Sequence, residues 1–114
     1  MIVGSWVDAI ITIAVNNVLT PEVDLGRPWD TLLIAVPAID SSQVTIQVAE
    51  KTGGTFQTLY VTDPADGGDN KVISALGTGG LTWVIPLGGF QFIKVATSAA
   101  QTANRTFRVC GVRA

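Results

Sequence analysis

Alternation of apolar and polar positions marks one strand of this 114-residue chain clearly. In Gln43–Val48, valine and isoleucine alternate with glutamine and threonine, which predicts a strand with one face toward the core and one toward water. A turn at Gly53-Gly54 and the run Phe56–Val61 follow, so a β-hairpin is expected here. The run Thr31–Val36 has no such alternation. We therefore expect a strand buried on both faces, which Pro37 ends.

Two runs rich in β-branched and aromatic residues close the sequence. Gly89–Ala96 and Arg105–Val112 are separated by the polar linker Thr97–Asn104, which predicts two paired strands joined by a loop. Both runs contain basic residues, and no acidic residue follows Asp69. We therefore expect the pair to have a positive outer face.

Glycine doublets separate the remaining strand-like runs. Eight of the 12 glycines form four doublets, which begin at residues 53, 67, 79 and 88. The further predicted strands are Ile10–Val15, Pro21–Trp29, Lys71–Ser74 and Leu81–Ile85. About nine short strands with turn signals and no amphipathic helix predict an all-β, single-domain antiparallel β-sandwich with little or no helix.

The first residues predict an apolar N-terminal arm over residues 1–9, ahead of a sandwich domain over residues 10–114. An arm that contains Trp6 needs a surface to cover it, which is either a neighbouring subunit or the chain's own core. The segment has no basic start and is interrupted by Asp8, unlike a secretory signal, and it is too short to span a bilayer. We expect the protein to be made and folded in a cytoplasm.

Charged residues are scarce, at 14% against about 25% in an average soluble domain, and mean hydropathy is +0.43. We infer that other subunits cover part of the surface. The net charge of −2 does not favour a nucleic-acid partner. Residues 1–69 carry −7 and residues 70–114 carry +5. Such a chain could pack acidic side to basic side in an array, or the two halves could interleave within one sandwich.

The sequence gives little support to enzyme chemistry. It contains no histidine, which removes the commonest general base and zinc ligand, and no phosphate-binding glycine loop. We therefore expect no enzymatic activity, no metal and no cofactor. The acids that could form a glycosidase pair (Asp24, Asp30, Glu50) or bind Ca²⁺ (Asp63, Asp66, Asp69) are expected to be ordinary solvated or turn residues.

A single cysteine, Cys110, excludes an internal disulfide. If Phe107 faces the core, alternation places Arg108 and Cys110 on the other face. Cys110 could form a disulfide with another subunit, but we favour a small buried hydrophobic residue under a neighbouring segment. Of the tryptophans, Trp83 is expected in the core, and Trp29 is expected at the surface, where it could stack on a sugar.

Three segments resemble the discoidin or galactose-binding-like family. Val23–Pro28 is similar to its "VDLG" strand with a following basic residue and proline, and Val44–Leu59 to its glycine-turn hairpin. Phe92–Val95 with Phe107–Val112 resembles its closing strand pair. The resemblance covers most of residues 22–113 and implies a jelly-roll-like sandwich. The family's paired cysteines and ligand loops are absent, so sugar or lipid binding is not carried over to named residues.

In composition and layout the chain also resembles small virion proteins of tailed phages, above all capsid decoration (cement) proteins. This resemblance implies a location in the virion and a homo-oligomer, contacts with other virion proteins such as a major capsid protein, or both. The alternative is a carbohydrate-binding (lectin-like) module of a phage tail or adhesion apparatus, with a glycan as ligand. The residues expected at an interface are Ile2, Val3, Trp6, Arg108 and Cys110.

Overall fold

Strands account for all the regular structure in the part of the chain that the computed structural model describes, residues 2–63, 69–72 and 74–113 (backbone only for 61–63, 69–72 and 74–76). The strands are β1 (Ile2–Val3), β2 (Val7–Ile11), β3 (Val23–Val36), β4 (Ser42–Ala49), β5 (Gln57–Thr58), β6 (Tyr60–Asp63), β7 (Asp69–Val72), β8 (Ser74–Gly77), β9 (Leu81–Thr97) and β10 (Arg105–Arg113). The radius of gyration, 13.6 Å, matches the value of about 13 Å for one domain of this length. The predicted all-β single domain is confirmed.

Eight strands form one antiparallel sheet in the order β1-β10-β3-β9-β4-β5. β2 also pairs with β10, on the edge that β1 occupies, and β8 pairs with β4 on the edge that β5 occupies. β6 and β7 pair only with each other among the described residues. Because β1 pairs with β10, the two ends of the chain lie side by side.

The sheet folds over itself because β3 and β9 both bend. Gly88 and Gly89 in β9 have φ values of +71° and +92°, a conformation that disfavours any residue with a Cβ. In β3, Gly26 has φ +87°, and the β3–β9 register shifts on either side of Trp29. These corners divide the sheet into two layers. The first layer contains β1, β2, β10 and the stretches 31–36 and 81–87, and the second contains β4, β5, β8 and the stretches 23–25 and 90–97.

The core fills the space between the two layers. Alternate residues of each strand enter it, and the largest fully buried side chains come from both layers. They include Ile11, Leu32, Ile34, Ile85, Leu87 and Phe107 from the first layer, and Val44, Ile46, Ile93 and Val95 from the second. Burial of each large apolar side chain contributes roughly 1.5–3 kcal/mol relative to exposure.

The predicted pairing of the two closing runs is wrong. β9 and β10 are not neighbours, because β3 lies between them in the first layer. The linker after β9 is long enough to cross the end of the sandwich instead of forming a tight turn. It is attached there by hydrogen bonds from Ala99 N to Ser42 Oγ and from Gln43 N to Ser98 Oγ.

Strand lengths also differ from the prediction. Leu81–Ile85 and Gly89–Ala96 are parts of one strand, because the glycine doublet between them bends the chain without ending it. Pro21–Trp29 and Thr31–Val36 likewise belong to β3. The predicted hairpin is confirmed, since Gln47 in β4 is opposite Thr58 in β5.

The N-terminal strand lies earlier than the predicted Ile10–Val15. The carbonyl of Thr12 accepts hydrogen bonds from the N–H groups of Val15 and Asn16, which turns the chain after β2. The predicted boundary between arm and domain, after residue 9, falls within β2, and Ile2–Val3 also pairs with β10.

A candidate interaction surface

Exposed apolar side chains are concentrated in the N-terminal segment. Six of the nine large ones in the described residues lie between residues 2 and 15. They are Ile2, Val3, Trp6, Ile10, Ile13 and Val15. Because β1 and β2 pair only with β10 among the described strands, this segment also forms an edge of the first layer. Of the predicted interface residues, Ile2 and Val3 lie in β1 at this edge, and Trp6 lies exposed in the segment between β1 and β2.

The outer surface of the first layer is a second apolar region. Residues opposite each other in paired strands point to the same side of a sheet, so the strand register defines rows of outward side chains. One row is Leu33 and Val84, beside Cys110, which the N-terminal segment covers; another is Asp8, Arg108, Ala35 and Thr82; a third is Val3, Val112, Thr31 and Pro86. Together with the pair Ile10 and Thr106, we call these residues the apolar face.

One ion pair provides all the charge on the apolar face. Arg108 Nη1 lies 3.2 Å from Asp8 Oδ1, and both side chains are about half exposed. The outer surface of the second layer, in contrast, carries Gln43, Gln47 and Lys94. The two exposed sheet surfaces therefore differ: one is largely apolar with a single ion pair, and the other is polar.

The predicted positive outer face of the closing runs is wrong. Arg108 forms an ion pair with Asp8, and Arg105 Nη2 lies 3.3 Å from Oδ1 of Asp40, in the loop between β3 and β4. Lys94 belongs to the second layer, where its ammonium group lies 4.6 Å from the centre of the Phe56 ring. The basic residues therefore separate because the strands that carry them lie in different layers.

Cys110 lies beneath the surface, fully buried in β10. Its thiol donates a hydrogen bond to the carbonyl oxygen of Gly4 at 3.3 Å, so the segment between β1 and β2 covers it. Burial raises the pKa of the Cys110 thiol, which disfavours the reactive thiolate. These features agree with the expected small buried residue. Of the two predicted interface residues in β10, Arg108 is therefore the exposed one.

The expectation that Trp29 is a surface aromatic is wrong. Its side chain is 4% exposed, and its indole N–H donates to the Leu25 carbonyl at 3.0 Å. The ring lies directly over two glycines: a Cβ on Gly111 would overlap its five-membered ring, and one on Gly4 would come within 2.8 Å of Cζ2. The guanidinium of Arg27 lies 5.5 Å from the ring centre. Trp29 is therefore not available to stack on a sugar, while Trp83 packs against the core as predicted.

Exposed carboxylates in the described residues fix loops. Glu22 accepts hydrogen bonds from Thr52 Oγ1 at 2.6 Å and Gly53 N at 2.8 Å, which lower the pKa of Glu22. Hydrogen bonds from Thr102 lower the pKa of Asp40, and those from Gln91 and Gly26 lower the pKa of Asp24.

No group of metal-ligating side chains occurs in the described residues. Of the aspartates weighed for Ca²⁺, Asp66 lies outside them, and only the backbones of Asp63 and Asp69 are described, as partners in the β6–β7 pair. The described residues also contain no helix of the length and apolar character needed to cross a membrane.

The fold and surface define an all-β sandwich protein with an apolar sheet face and an apolar edge. No protein-family model and no curated protein matches the sequence. Among solved structures, the chain is similar to the crystal structure of SPBc2 prophage-derived protein YomS, with 14% identity, coverage of 97% of both chains and a TM-score of 0.54. At that identity the likeness shows a shared fold.

A chain of the cyanophage Pam1 capsid asymmetric unit aligns over 94% of this chain and 82% of that chain, with 17% identity and a TM-score of 0.33. The specific resemblance to the discoidin fold is not confirmed by these comparisons.

Proposed function

We propose that this chain is a non-enzymatic structural protein of a virus particle, most concretely a capsid decoration (cement) protein of a tailed phage. Many copies attach to the particle through the apolar side chains of residues 2–15. Each contact is weak, but repeated contacts on a regular surface add up to stable attachment. The partners are other virion proteins, such as a major capsid protein, and further copies of the chain.

The observation that carries this proposal is the position of the exposed apolar side chains. A sheet edge offers unpaired backbone N–H and C=O groups, and natural proteins usually protect such an edge with charge. Here Asp8 is the only charged residue among the first 21, and Trp6 and Ile10 are exposed beside it. An apolar edge with so little charge is typical of a surface that another chain covers. The fold likeness to a prophage-derived protein supports a phage setting.

Point substitutions test this proposal better than deletion of the first residues. Gly4 lies under Trp29 and accepts the hydrogen bond from Cys110, so removal of residues 1–7 would disturb the fold. Trp6→Ser changes an exposed residue and leaves Gly4 in place. Tyr60→Ser is the matched control, because Tyr60 is also an exposed aromatic residue but lies in β6.

The assay measures how many copies co-purify with phage particles on a density gradient. The parent and Tyr60→Ser proteins should be present in many copies, and Trp6→Ser should be depleted while its thermal unfolding stays near that of the parent. Absence of the parent protein from purified particles would refute the proposal. Equal recovery of the Trp6→Ser protein would show that the edge does not mediate attachment.

The carbohydrate-binding alternative has lost its aromatic candidate, because Trp29 is buried. It makes a separate prediction, since a lectin-like module should bind on a glycan array whether or not Trp6 is replaced. Array binding that persists in the Trp6→Ser protein would favour this alternative over attachment through the N-terminal edge.

A further inference from the structure

We propose that the apolar face is a self-association surface, on which a second copy of this chain docks face to face about a twofold axis. The inference rests on the proposed function, in that it names one partner of the same structural protein. The surface is the outside of the first layer, opposite to the core and next to the N-terminal edge.

One side of β3 lacks a cover. The run Thr31–Val36 has the unbroken apolar character of a strand buried on both faces. In the described part of the isolated chain only one side is buried: Ile34 is fully inside, whereas Leu33 and Ala35 are half-buried on the apolar face. Beside Leu33 in the next strand, Val84 is 61% exposed. A covering surface would complete the burial that the sequence pattern predicts.

The charges on the apolar face favour a second copy as its partner. The only charged residues on the apolar face are Asp8 and Arg108, one of each sign and adjacent. In a twofold contact, residue i of one copy meets residue j of the other and the reverse, so each Asp8 can pair with the partner's Arg108. A strongly acidic or basic partner would instead place a like charge against one of the two. A surface with the same neutral pattern therefore fits best, and a second copy supplies it.

The size of the face places the contact among small interfaces. Four strands about 4.8 Å apart, each contributing about six residues at about 3.4 Å, cover roughly 300–400 Å². That is about half the area of roughly 800 Å² that each partner buries in a standard interface. Interfaces of this size are typical of weak, transient contacts, so we expect dimers to form only at high protein concentration, up to about 1 mM. Copies held side by side on a particle reach effective concentrations of that order.

Two exposed valines give a matched test of the surface. Val84 lies in the central row of the apolar face, and Val15, 81% exposed, lies in the turn after β2, outside the face. Light scattering and sedimentation equilibrium at about 10 μM to 1 mM protein measure the oligomeric state. The parent and Val15→Asp proteins should form dimers over this range, and Val84→Asp should remain monomeric. Because both side chains are exposed, both variants should keep the parent's thermal stability.

A charge exchange tests the twofold arrangement itself. Asp8→Arg alone places like charges within the chain and across the interface, and so does Arg108→Asp. Each single variant should weaken dimerisation at least about tenfold, a difference of about 1.4 kcal/mol. The double variant Asp8→Arg/Arg108→Asp restores all the pairs, and its dissociation constant should return to within about threefold of the parent's. Failure of the double variant to recover would refute the twofold pairing.

The results separate this inference from the proposed function. A parent protein that stays monomeric at about 1 mM overturns the self-association, even if it is abundant on particles. Dimers that are lost with Val15→Asp but kept with Val84→Asp also overturn it, since they place the contact at the N-terminal segment. A dimeric protein that is absent from particles would support the self-association and refute the proposed function.

Discussion

Substitution of Gly111 by alanine offers a direct test of how the two ends of the chain are held together. Gly111 lies in β10 under the ring of Trp29, and a Cβ there would overlap Cγ, Cδ1 and Cδ2 of the indole. The φ angle of Gly111 is not positive, so alanine meets no backbone strain at this position. Any loss of stability therefore reports on displacement of the ring.

The expected size of the effect follows from three contributions. Overpacking of a well-packed site costs about 1–3 kcal/mol. Displacement of the ring also weakens the hydrogen bond from Trp29 Nε1 to the Leu25 carbonyl, which contributes about 1 kcal/mol. Alanine in place of glycine restores about 0.4–1 kcal/mol, because it restricts the unfolded chain. We expect Gly111→Ala to lower the free energy of unfolding by about 2 kcal/mol, and the melting temperature by about 8 °C.

Urea unfolding followed by circular dichroism measures this change. The control is a double-mutant cycle with Trp29→Leu, which removes the ring that alanine would displace. In that background Gly111→Ala should cost less than about 0.5 kcal/mol, so the coupling energy should exceed about 1 kcal/mol. A Gly111→Ala protein as stable as the parent would show that Trp29 does not cover β10.

Two further predictions concern titratable groups. Hydrogen bonds from Thr102 hold the folded-state pKa of Asp40 below its unfolded value, so their stabilisation is complete above that unfolded value, about 3.9, and is lost as pH falls through the lower folded-state pKa. The melting temperature of the Asp40→Asn protein should therefore fall less than that of the parent between about pH 5 and pH 2. An equal fall in the two proteins would contradict this role of Asp40. The buried Cys110 thiol, whose pKa is raised by burial, should react with Ellman's reagent at least about a thousandfold more slowly in the native than in the urea-unfolded protein. Rapid modification of the native protein, or a disulfide-linked dimer on a non-reducing gel, would contradict that burial.

The sequence identifies strands better than it identifies their neighbours. Alternation in Gln43–Val48 predicted β4 and its inward residues, because that signal depends only on local geometry. The glycine doublet at residue 53 marks a turn, whereas the doublet at residue 88 bends β9 without ending it. The Gly-Gly doublet has a different effect at the two positions, because β3 pairs with β9 on both sides of the bend at residue 88. That pairing is between segments distant in sequence, so the local sequence does not reveal it.

For the candidate surface, too, the sequence predicts local features better than contacts between distant segments. The apolar run at the start of the chain predicted a segment that needs a covering surface, and Ile2, Val3 and Trp6 are exposed in the structure. The burial of Trp29 was not predictable in this way, because the site that receives its ring forms only when Gly4 and Gly111 meet from opposite ends of the chain.

The pairing of β2 with β10 has a consequence for protein synthesis. About 100 residues separate the two strands, and a ribosome adds roughly 5–20 residues per second. β10 is therefore synthesised about 5–20 s after β2. During that interval the apolar segment around β2 has no β10 to pair with and can contact other chains. Asp8 is the one charge that discourages it from pairing wrongly, as gatekeeper residues do beside aggregation-prone strands. Once Arg108 has been synthesised, the same carboxylate forms an ion pair with it, so Asp8 then contributes to the pairing of β2 with β10.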